Sequence, residues 1–143
     1  AGSGDVIVAD SSVWIDHFRG FESVQVDRLD RLIGSPDLVL GDLVLFELLR
    51  GTRDERHART LETWLRRFPL QRMVDPKLAV AAARHSRRLR SAGITPRKTI
   101  DLLIATFCIE RRYELLHRDR DFDLMALHLD LRIFDASAFD PLS

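Results

Sequence analysis

The sequence predicts an α/β fold, a central parallel sheet flanked by helices on both faces. Three observations carry that prediction. Short unbroken apolar runs, such as Val6-Ile7-Val8-Ala9 and Leu38-Val39-Leu40, suit strands buried on both sides. Longer amphipathic or apolar stretches with helix signals alternate with those runs, the pattern of βα units. The chain has 143 residues and a mass of 16.4 kDa, the length of one ordinary domain.

Each element follows from local chemistry. Residues 1–4 read as an expression scar or flexible end, and residues 5–143 as the domain. After the first strand, Asp10-Ser11-Ser12 offers N-cap side chains to a helix carrying Val13, Trp14, Ile15 and Phe18. An amphipathic stretch over 23–33 closes at Gly34-Ser35-Pro36, and Leu38-Val39-Leu40 is the next strand. A helix from about Asp42 stops at Gly51, and another spans 54–67 with Leu61, Trp64, Leu65 and Phe68 on one side. A short strand over 70–74 precedes Asp75-Pro76, which starts a long helix to about Ser91, ended by Ala92-Gly93. Thr99 reads as the N-cap of a largely apolar helix through Leu102, Ile104 and Phe107. A strand over 114–117, a short helix over 121–128 and a last strand over 131–134 complete the series.

Composition narrows the function classes. With 45% hydrophobic and 31% charged residues, the chain is neither disordered nor a membrane protein, for no stretch approaches the ~18 uncharged apolar residues of a spanning helix. Cys108 stands alone, which excludes an internal disulfide and points to a reducing, cytoplasmic setting. Formal net charge is zero, so blanket attraction to nucleic acid or lipid is excluded while local patches remain open. Lys77 and Lys98 are the only lysines; the other basic residues are Arg. That bias fits phosphate contact, and it fits equally the codon composition of a source genome.

Four acids stand out from their surroundings. Asp10 lies just beyond the first buried strand, where open parallel sheets place their ligand sites. Glu47 interrupts the apolar Leu43-Val44-Leu45-Phe46 and Leu48-Leu49. Asp101 occupies the first turn of the most hydrophobic helix, where the helix dipole favours a carboxylate. Asp119 follows the strand ending at His117, with Asp121 and Asp123 close behind. Each acid alone is better explained by an N-cap or a surface ion pair, and it is all four at element ends of the right kind that reverse the balance. Converging on one crevice, they would require compensating protons or cations. Oxygen ligands point to a hard ion, magnesium or manganese, and so to in-line displacement at a phosphodiester.

The segments Asp10-Ser11-Ser12-Val13, Phe46-Glu47-Leu48-Leu49-Arg50-Gly51, Asp101-Leu102-Leu103-Ile104-Ala105 and His117-Arg118-Asp119-Arg120-Asp121-Phe122 resemble, in order and spacing, the signatures of PIN-domain nucleases. Within these the chain is most similar to VapC toxins, and the resemblance runs from residue 6 to about residue 135. It implies a Rossmann-like fold and a magnesium-dependent (or manganese-dependent) endoribonuclease that cuts tRNA or rRNA and is silenced by a VapB-like antitoxin. It also implies that Asp10, Glu47, Asp101 and Asp119 form the acidic quartet, that Asp121 is a fifth metal-site acid, and that Ser12 helps order the site. His117 departs from the pattern, standing where the family commonly has Thr or Ser.

Other residues carry two readings each. His117 is either a general base or a partly buried imidazole that orients its neighbours. Arg84, Arg87 and Arg88 share a helix face, with Arg97 and Lys98 nearby; they either grip RNA phosphates or form a solvated surface. Cys108 reads as a core thiol. Trp14, Trp64 and the Phe residues have apolar neighbours at helical spacing and read mostly as core, while the large apolar residues of the early helices (Trp14, Ile15, Phe18, Phe21) are also candidates for a homodimer interface. Two rival functions stay in view. An aspartate-based phosphatase would want an acid where Ser12 stands; a silent RNA- or protein-binding scaffold would leave the buried acids unused.

Overall fold

The alternation of apolar runs and helical stretches builds a parallel sheet with the strand order β3-β2-β1-β4-β5. A computed structural model describes residues 5–134, so the reading of residues 1–4, and the end of the 5–143 domain, lie outside the described residues. Its elements are β1 (Ile7–Ala9), α1 (Ser11–Phe18), α2 (Val24–Leu32), β2 (Leu38–Gly41), α3 (Asp42–Arg50), α4 (Glu55–Leu65), β3 (Leu70–Gln71), α5 (Pro76–Ser91), α6 (Thr99–Arg111), β4 (Glu114–Leu116), α7 (Arg120–Ala126) and β5 (Arg132–Ile133).

Central β1 pairs in parallel with β2 (Ile7 opposite Leu38) and with β4 (Val8 opposite Leu115). The chain first builds outward from β1 through β2 to β3, then returns to the other side of β1 for β4 and β5. That reversal leaves a crevice at the carboxyl ends of β1 and β4, the place where such sheets put ligands. Edge strands β3 and β5 are two residues each, shorter than the apolar runs suggest. Short edges offer little unpaired backbone to other chains.

Val8, Leu38, Leu115 and Leu116 are fully buried between the helical layers, with Val13, Trp14, Leu29, Ile104, Phe107 and Phe122 packed onto them. Gly41 closes β2 against the Met73 thioether, which occupies the space a Cβ would need. Two expectations change. Trp14 has no exposed surface, because it sits in an aromatic cluster with Phe18, Trp64 and Phe68; it belongs to the core and is unavailable to a dimer interface. Lys98, not Thr99, holds the N-cap position of α6, with no side-chain cap. The preceding segment is tied at Arg97, whose backbone N–H donates to Asp121, so the first helical turn begins one residue earlier than Thr99 would set it. No helix among the described residues is long and apolar enough to cross a membrane.

Candidate metal centre

Three of the four singled-out acids meet. Asp10, Glu47 and Asp101 each offer a carboxylate oxygen, and these lie within 4.8 Å of one another in a buried pocket. Asp10 arrives at the end of β1, its N–H held by Leu116 O of β4 at 2.9 Å. Glu47 projects from α3 and Asp101 from the first turn of α6. Only 3% of Asp10 and 1% of Asp101 is exposed.

Hydroxyl groups fix one oxygen of each of two acids and leave the other. Ser12 donates to Asp10 Oδ2 from its Oγ at 2.8 Å and from its backbone N–H at 3.2 Å, which makes Asp10 the N-cap of α1 as well. The same Ser12 Oγ accepts from the Arg118 N–H, tying the β4–α7 loop to α1. Ser11 donates to Glu47 Oε1 at 3.0 Å. Asp10 Oδ1 and Asp101 Oδ2 are buried without a hydrogen-bond partner; the nearest cation is the Lys98 ammonium, 3.9 Å from Asp101 Oδ2.

Buried carboxylate oxygens without partners are costly, and the acids' proton affinities reflect it. Burial pushes Asp101 up to about 7, reinforced by Asp10 and partly offset by Lys98. Burial also raises Asp10 against the pull of the Ser12 bonds, and raises Glu47 with help from Asp10. Two open oxygens in an all-carboxylate pocket fit a hard divalent cation, which would supply the positive charge the pocket lacks.

Asp119 and Asp121 stand apart from this trio. Asp119 Oδ1 caps α7 by accepting the Asp121 N–H at 2.9 Å, and it also accepts Arg97 Nη2 at 3.1 Å. Asp121 Oδ2 accepts both the Arg97 backbone N–H and Nε, and those bonds hold its carboxyl below the usual range. Asp119 is still near enough to raise Asp101 through its charge. His117 is buried: its Nδ1 accepts the Asp119 N–H at 3.0 Å, and Nε2 donates to Asp123 at 3.1 Å. Both ring nitrogens are thus engaged in orienting the loop. Arg84, Arg87 and Arg88 are exposed on α5, with no hydrogen bond to the acids among the described residues. Cys108 is buried in α6, where burial pushes its thiol far up.

Sequence reasoning missed Ser11 and the Arg97 fork. Ser11 is a hydroxyl between Asp10 and Ser12 with no pattern of its own, and the Arg97 contacts span 22 and 24 positions.

The PIN domain family matches residues 7–127. A VapC ribonuclease of Mycobacterium bovis and ribonuclease VapC11 of Mycobacterium tuberculosis are each 32% identical to this chain over 123 residues, 85% of this chain and 92% of theirs. The chain belongs to the PIN-domain family, in the group of the VapC ribonucleases. The sheet and helices also match DNA-bound VapBC from Salmonella typhimurium, with a TM-score of 0.74 and 19% identity over 92% of this chain and 98% of that chain. FitAcB from Neisseria gonorrhoeae gives 0.71 and 19% over 94% of this chain and 100% of that chain. At these identities the likeness concerns the fold.

Proposed function

We propose that this chain is a magnesium- or manganese-dependent endoribonuclease, the toxin of a toxin–antitoxin pair, cutting structured RNA such as tRNA or rRNA. The observation that carries the reading is the pair of buried, unpartnered oxygens, Asp10 Oδ1 and Asp101 Oδ2, beside Glu47 in a chain of the VapC group. Asp10, Glu47 and Asp101 would hold the ion, with Asp119 and Asp121 on the same rim. The ion, when bound, supplies Lewis acidity for the phosphodiester and lowers the pKa of a water.

The chain's own groups do the rest. Ser12 and Ser11 lock one oxygen each of Asp10 and Glu47, so the remaining oxygens are presented without side-chain reorganisation. Without the ion, burial keeps Asp101 protonated up to about 7, so an ion binding there displaces that proton. His117 and Ser12 hold the backbone of residues 118 and 119 in place. Arg97, Lys98 and the exposed Arg84, Arg87 and Arg88 are suited to RNA phosphates.

A VapB-like antitoxin is the partner, a reading supported by the VapBC complexes among the structural neighbours. A groove of about 450 Å³ between α1, α3 and α4 runs from Glu47 past Leu48, Ile15 and the half-exposed Phe18. Apolar side chains of the antitoxin would fill that groove, while an Arg or Lys reaches the acids. Incubating the protein with tRNA and rRNA, with magnesium and then with excess chelator, tests the reading. Cleavage that persists undiminished under chelation contradicts it.

A further inference from the structure

The five acids of the site fall into two sets. Asp10 and Asp101 have buried oxygens with no partner, whereas Asp119 and Asp121 are already joined by one cation of the chain itself. Building on the cation-dependent reading above, we propose that the chain holds a single divalent ion, at Asp10, Glu47 and Asp101, and that the Arg97 guanidinium takes the place of a second ion between Asp119 and Asp121.

Arg97 is not a loose surface side chain that has fallen onto two acids. Its backbone N–H is bonded to Asp121 Oδ2 at 3.1 Å, which fixes the stem, and Nε meets the same oxygen at 3.2 Å. Nη2 then reaches Asp119 Oδ1 at 3.1 Å. One guanidinium therefore bridges two carboxylates whose side chains are only 12% and 14% exposed, as a divalent ion between them would. The planar fork is suited to that bridging and carries its charge at every working pH.

The two sets are linked through the chain's own contacts: Lys98, next to Arg97, lies 3.9 Å from Asp101 Oδ2, and Ser12 Oγ bonds both Asp10 and the Arg118 N–H beside Asp119. Two-ion phosphodiester sites use a second positive centre on the reacting phosphate, and the fixed Arg97 guanidinium is such a centre. Five ionised carboxylates against Lys98, Arg97 and one divalent ion leave a single negative charge, and a second divalent ion would have to strip Arg97 from both partners. The Arg97 side chain remains 72% exposed, so its outer donors are open to a phosphate oxygen arriving from solvent.

The test is a count of bound manganese by electron paramagnetic resonance and equilibrium dialysis, on wild type, Arg97→Met, Arg97→Gln and Arg97→Lys. One ion per chain is expected for wild type and Arg97→Lys. Two are expected for Arg97→Met and Arg97→Gln, because neither leaves a positive charge between Asp119 and Asp121. Two ions on wild type overturn the proposal without recourse to any variant, and so does a count of one on both neutral variants. Should Arg97→Met fail to fold, Arg97→Gln decides, since its side chain is polar at this exposed position and lacks the charge. No bound manganese on any of the four proteins overturns the cation-dependent reading itself, an outcome distinct from the other two.

Discussion

Ser11 Oγ donates a buried 3.0 Å hydrogen bond to Glu47 Oε1, joining the first residue of α1 to the middle of α3 across 36 positions of sequence. It is one of the contacts that hold a carboxylate in the apolar interior against its own desolvation. Ser11→Ala removes the donor and leaves the oxygen unsatisfied, a change worth about 1–3 kcal/mol. The variant should melt several degrees below wild type in chelator, and manganese should recover part of the loss by binding the folded state. Identical melting curves in chelator would show that the bond does not support Glu47.

The raised Asp101 sets the sign of a pH dependence. Its carboxyl is pushed up to about 7 in the fold and returns to an ordinary value of 3.8 on unfolding, so across that interval the folded state binds more protons. Its contribution to stability is therefore full below about pH 4 and is lost as pH rises towards 7. Asp10 and Glu47 are shifted in the same direction. In chelator, the stability difference between wild type and Asp101→Asn should move in favour of the variant from pH 4.5 to 7.5. Manganese, which binds the ionised carboxylates, should reverse that trend for wild type. Melting curves of both proteins at several pH values, with and without the ion, check the sign.

Much of the frame was legible in residues. The unbroken run at Ile7–Ala9 became the central strand, Asp54 and Asp75 cap their helices through Oδ bonds to His57 and Leu78, and Asp10 stands at the strand end where the pattern put it. These features depend on neighbours a few positions away. The rest depends on what the fold brings together. Nothing local shows that Arg97 would meet Asp119 and Asp121, that Ser11 would serve Glu47, or that Trp14 would be enclosed by Trp64 and Phe68. The resemblance grouped Asp119 with the other acids. In the fold its Oδ1 both caps α7 and accepts Arg97, and the second contact is not visible from local sequence.

An antitoxin segment that sets an Arg or Lys against the acids competes with the ion for the same charge. Its affinity should fall when magnesium is added, and the segment should weaken metal binding by the same factor. Titrating a peptide of the antitoxin's tail into the protein, with magnesium and with chelator, measures both sides. Full inhibition with an affinity indifferent to magnesium would place the antitoxin on the RNA-binding face instead.

Phe18 and Phe21 expose 43% and 49% of their surfaces at the end of α1 and just beyond it, an apolar pair that a second copy of the chain could cover. Light scattering at tens of micromolar should give a homodimer, and Phe18→Ser should shift the protein towards monomer. Phe21 is covered in part by the Arg118 guanidinium, 4.7 Å from the ring centre, so its substitution would also disturb the loop before Asp119. A strict monomer for wild type contradicts this expectation.

The measurement closest to the centre of the account is RNA cleavage by Asp101→Asn under saturating magnesium, with its fold verified by thermal melting. The substitution nearly conserves shape and removes one charge from the three-carboxylate pocket. The account predicts a variant at least as stable as wild type in chelator at neutral pH, with cleavage lowered by about three orders of magnitude, the scale of losing several kcal/mol of transition-state charge stabilisation. A natively folded Asp101→Asn protein that cuts RNA at the wild-type rate would contradict it.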